Sequence, residues 1–142
     1  MRLTLELERE GSMPPLPGDG MELIAFLSFA ISRGFGATHP LIALADRLHD
    51  TFHVRFGPLT TFYEAGPDDN EDRAKLEMAW QQPGPLRESM EKVLAAIQSD
   101  EQCRALLRRA NAEALPAQAE AVLPLLRRAE ECGERVRMVY SL

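Results

Sequence analysis

Three histidines, His39, His49 and His53, fall within fifteen residues. His49 and His53 are spaced i, i+4, and Asp46 and Asp50 lie within a turn of them. One continuous helix through this stretch would turn four potential ligands toward a single divalent metal, because imidazole and carboxylate are both ordinary zinc donors. The run HDTFH lacks the glutamate that serves as general base in HExxH zinc enzymes. The pattern therefore supports a metal-binding protein or metal-dependent enzyme only as an alternative, beside the plainer reading of a polar helix end.

A second cluster is acidic. Residues 64–72, EAGPDDNED, contain Glu64, Asp68, Asp69, Glu71 and Asp72. As a calcium loop the run fails: Asp68, Asn70 and Asp72 suit the first three ligand positions, but Arg73 replaces the turn glycine and Ala79 the closing glutamate. Two readings remain. One is an electrostatic docking patch for a basic protein. The other is a helix start whose acids complement its own unpaired N–H groups and dipole.

Other chemistry is weaker. Arg104, Arg108, Arg109, Arg127 and Arg128 form a dense basic set, yet Glu113, Glu120, Glu130 and Glu131 are interspersed and invite pairing along helix faces. The glycines of SRGFGATHP lack the lysine of a phosphate-binding loop. No serine lies in a GxSxG elbow, and Cys103 and Cys132 fall among leucines and alanines, where cysteine behaves as a small buried hydrophobe.

Composition narrows the classes. The 142 residues carry a formal net charge of -6, and thirteen of the 22 acids against seven of the 16 bases fall within residues 1–80. An acidic surface repels phosphate backbones, so a basic protein is the expected partner and nucleic acid is not. The most apolar stretch, residues 21–31, is shorter than a membrane span and starts too far into the chain for a signal peptide. Two cysteines without a CxxC spacing fit a reducing cytoplasm. With no catalytic motif, the expected function is a non-catalytic protein-binding or regulatory module with an acidic docking surface, inhibitor-like or immunity-like.

The elements that must position these residues follow from periodicity. RLTLELE alternates leucine with polar residues, as a half-buried strand does, and RVRMVYSL alternates likewise at the far end. Glutamates on one and arginines on the other predict that the two are neighbours in one sheet. Between them the pattern predicts a loop rich in Gly and Pro ending at Asp19, a possible cap. A buried helix follows over 21–33, with a buried strand as the alternative, and Gly34 as its C-cap. A second helix over 40–52 starts at Thr38 and Pro40.

Two short strands within 53–65 meet at Gly57-Pro58. A helix then reaches about Gln82, anchored by Trp80. Further helices are expected over 86–98, from Ser99 or Asp100 onward, and after Leu115-Pro116 to Gly133, with Pro124 restarting or kinking the last. The echo of ALLRRANAE in PLLRRAEEC suggests that the last two helices form a hairpin. The expected fold is therefore one α+β domain over 1–142, rich in helix, with a small mixed, partly antiparallel sheet.

Overall fold

Strand β1 (Arg2–Leu7) and strand β4 (Val136–Ser141) lie antiparallel along their whole length. Leu5 stands opposite Met138 and Glu6 opposite Arg137. The charge match is realised: Arg137 Nε lies 2.6 Å from Glu6 Oε1, and Arg135 Nε lies 2.5 Å from Glu8 Oε2. Leu3, Leu5 and Leu7 turn inward and are buried, as the alternation requires. This is a computed structural model, and it describes residues 1–33, 39–65 and 70–142, apart from the side chains of Asn70 and Asp72.

The sheet has the order β2-β1-β4-β3. Strand β2 (Gly11–Ser12) turns back on β1, with Gly11 at φ 82, a backbone region that favours glycine. Strand β3 (Phe62–Glu64) runs parallel to β4, so the sheet is mixed. Only this one of the two strands expected in 53–65 forms. Val54 and Phe56 are buried, yet their segment runs as coil into a 3-10 turn over Pro58–Thr60.

Helix α1 (Met21–Ala30) takes the apolar stretch as a helix, burying Leu23, Ile24, Phe26, Leu27 and Ala30. It ends three residues before Arg33, because Ser32 and Arg33 donate to the carbonyls three residues back, the tight turn that closes many helices. Asp19 does not cap it. Gly20 is the N-cap, in the left-handed region, where a Cβ would meet that of Leu3 at 3.0 Å. Asp19 instead pairs with Arg2 at 3.4 Å.

Helix α2 (Pro40–Asp50) begins at the expected proline, but His39 caps it, its Nδ1 accepting from Leu41 N at 3.1 Å. Gly34 and Thr38 lie outside the described residues. Helix α3 (Asn70–Met78) stops short of Gln82. Pro83 disfavours helical backbone before it, and Gln81 instead forms an antiparallel bridge with Val136.

Helix α4 (Pro83–Ser99) includes both prolines in its first turn, where their missing N–H groups would have no partner anyway. Helix α5 (Glu101–Arg109) starts at an Asp100 cap. Helix α6 (Leu115–Cys132) runs through Pro124 and ends at Gly133, φ 64. The expected hairpin of the last two helices is not the packing found: α6 rests chiefly on α4 and α1, and α5 on α2 and α4. The burial partners of each apolar stripe, rather than chain order, select neighbours.

One hydrophobic cluster joins β1, β4 and the helices except α3. Among the described residues no buried side-chain polar atom lacks a hydrogen-bond partner, and no helix is long and apolar enough to cross a membrane.

Candidate functional site

The helical arrangement behind the metal reading does not form. Helix α2 ends at Asp50, and His53 sits beyond it with φ 56, a left-handed conformation. Val54 N folds back onto the Leu48 carbonyl at 3.0 Å, and Phe52 packs against the core. Burying Phe52 and Val54 thus competes with one more helical turn, and His49 and His53 lose their common face. His49 lies on the exposed last turn with its Nδ1 2.9 Å from Asp50 Oδ1. Asp46 is half-buried one turn earlier.

Among the described residues, the donor side chains that do converge to within 4.8 Å of one another are Glu10, Cys132 and Glu134. The sequence offered no periodic signal for this group. Its carboxylates have other partners. Glu134, buried, accepts from Arg9 N at 2.7 Å and from Glu10 N at 3.3 Å, and Glu10 pairs with Arg128 at 2.9 Å. Arg9 Nη2 donates to the Cys132 carbonyl at 2.5 Å. A carboxylate receiving two backbone N–H groups of a turn is a staple, tying the β1–β2 hairpin to the end of α6.

Of the acidic set, Glu64 and Glu71 are described with their side chains, on or beside the edge strand β3. Glu64 ends the edge strand β3, and Glu71 lies in the first turn of α3; both are exposed, and neither has an ion pair among the described residues. Asp68 and Asp69 lie outside the described residues, as does the side chain of Asp72. Helix α3 also carries exposed Arg73 and Lys75. Elsewhere acids commonly have arginine partners: Glu91 and Glu130 share Arg87, while Glu101 takes Arg104 and Arg108. Of the basic set, Arg127 pairs with Glu91 and Arg128 with Glu10, so four of its five arginines are neutralised locally.

The most ordered polar constellation was not expected from sequence. Arg47 on α2 grips Asp100 through two bonds, 2.7 and 2.9 Å, while Asp100 also accepts from Cys103 N at 3.0 Å. The Arg47 hydrogen bond holds the Asp100 carboxyl well below the usual carboxylate range. Burial first, then the Asp100 carboxylate, pushes the Cys103 thiol up to about 12. A thiol that stays protonated is a poor nucleophile, which agrees with the reading of Cys103 as a buried hydrophobe. Cys132 is exposed, against expectation, because it closes α6 on its solvent side.

A depression of 210 Å³ is lined by Arg55, Pro85, Glu88, Ser89 and Lys92. Its charges are of both signs, and Ser89 Oγ donates to the Arg55 carbonyl at 2.7 Å. Comparison of the chain with protein-family models, with curated proteins and with solved structures finds no match.

Proposed function

We propose that this protein is a non-catalytic protein-binding or regulatory module, inhibitor-like or immunity-like, that presents an acidic surface to a basic protein partner in a reducing cytoplasm. The observation that carries this reading is the state of Glu64, on the edge strand β3, and Glu71, on α3 beside it: both exposed, and without an ion pair among the described residues. An unpaired surface charge raises encounter rates with an opposite surface at little desolvation cost. The acids of residues 64–72 have no base among them, so the sequence continues the same sign through the run.

The test is affinity capture by the immobilised chain from its native lysate, with retained proteins identified by mass. One basic protein should be retained in a salt-sensitive manner. Its retention should drop at least tenfold, roughly the worth of one or two steering charge pairs, when Glu64, Asp68, Asp69, Glu71 and Asp72 are converted to their amides. Equal retention by the neutralised chain ends this reading. No observation of the structure favours the alternative of a metal centre on His49, His53, Asp46 and Asp50.

A further inference from the structure

The face of the sheet turned away from α1 and α6 carries Arg137 and Val139 of β4. Val139 alternates with inward-facing Met138 and so points outward, yet it is only 4% exposed, and it does not belong to the main hydrophobic cluster. Ala79, fully buried at the end of α3, stands outside that cluster too. Both are buried apart from the main core, and Trp80, next to Ala79 in the chain, lies against Arg137 on this outward side of β4.

Among the described residues, helix α3 has few other contacts to hold it. Apart from Asn70 and Asp72, its residues are exposed except for half-buried Leu76, and the element it chiefly packs against is β3. Nine residues is below the length, about 12–15, at which an isolated helix becomes even marginally stable. Its stability must come from its docking. Arg137 on β4 makes that docking: Nη1 donates to the Leu76 carbonyl at 3.2 Å, and the guanidinium lies 4.2 Å above the Trp80 ring. The same side chain meets Glu77 at 3.8 Å and Glu6 at 2.6 Å. A cation at the carbonyl end of a helix is favourable, and a flat guanidinium serves a carbonyl and an indole face together.

The chain is pinned to β4 on both sides of this helix. Ala65 N donates to the Tyr140 carbonyl at 2.7 Å, and Gln81 exchanges two bonds with Val136, 2.8 and 2.9 Å. We propose that α3 with Ala79 and Trp80 is a strap latched by Arg137, which opens as a unit while the rest of the molecule stays folded, exposing Ala79 and Trp80. Opening breaks few contacts and leaves the main core closed. The strap stands whether or not the acidic run docks a partner.

Native-state hydrogen exchange, with acrylamide quenching of Trp80, the single tryptophan, tests the strap. In the unaltered protein the amides of 74–80 should exchange as one group, at least about tenfold faster than those of α4 and α6. Arg137→Lys keeps the charge beside Glu6 but cannot serve carbonyl and indole at once. It should speed exchange of 74–80 by about a further tenfold and raise Trp80 quenching, with α4 and α6 unchanged. Exchange of 74–80 at the rate of α4 and α6 in the unaltered protein overturns the strap, as does an Arg137→Lys protein in which 74–80 is no faster or every element speeds up alike. Should that variant not fold, the unaltered protein decides alone.

Discussion

Gln118 shows how much a single side chain can organise. It lies 1% exposed in α6; its Oε1 accepts from Leu23 N at 2.9 Å and its Nε2 donates to Glu22 Oε2 at 2.5 Å. It is thus the acceptor for an N–H in the first turn of α1, one of the groups every helix start leaves open. Gln118→Leu keeps the volume and removes the acceptor, so chemical denaturation should show a loss of roughly 1–3 kcal/mol, the penalty of a buried unserved donor. A loss below about 0.5 kcal/mol would mean that Leu23 N finds another partner. Asp19, adjacent in sequence, was the expected cap, yet it pairs with Arg2; the acceptor that serves Leu23 N is a glutamine 95 residues away. Local rules rank nearby acceptors and are blind to distant ones that burial brings closer.

At the level of elements, the Arg47–Asp100 pair joins α2 to the start of α5. Asp100 carries a lowered folded-state value, its Arg47 bond being the largest cause. The unfolded chain therefore takes up the Asp100 proton first as acid is added. The stabilisation is complete above the ordinary aspartate value of about 4, and it is lost progressively as pH falls from there toward the lowered value. Asp100→Asn keeps an oxygen for Cys103 N but removes the charge and replaces one of the two Arg47 acceptors by an NH2 group. Its Tm should be lower at neutral pH and should decline less steeply with acid below about pH 4. Parallel Tm curves for the two proteins would contradict this.

Asp100 as a helix start was legible, since a carboxylate before an amphipathic run is a local cap signal. Its partner on α2 was not, because nothing in the spacing of Arg47 distinguishes it from a solvated arginine. The helix expected to carry His49 and His53 together ends earlier for a similar reason. The i, i+4 spacing of the pair presumes a helix, and whether the helix continues past Asp50 depended on the burial of Phe52 and Val54.

At the scale of the molecule, β4 is a central strand, between β1 and β3 with Gln81 bridged to it. Met138, 1% exposed, stands opposite Leu5 and beside Phe62. Met138→Ala should lower unfolding stability by roughly 2–5 kcal/mol, the usual result of emptying a buried methionine site. Met78→Ala, at a position 71% exposed, should stay within about 0.5 kcal/mol. Similar losses for the two would remove β4 from its central role.

The strand alternation of both termini, their mutual charge match and the apolar stripes of the helices were present in the order of residues alone, because period and charge sign are properties of consecutive positions. Which stripe met which was decided only in three dimensions. So were the parallel pairing of β3, the left-handed turn at His53, the Glu134 staple and the seat of Arg137 against Leu76 and Trp80. Each of these depends on groups far apart in the chain competing for the same burial or the same hydrogen bond, and no local pattern records the outcome of that competition.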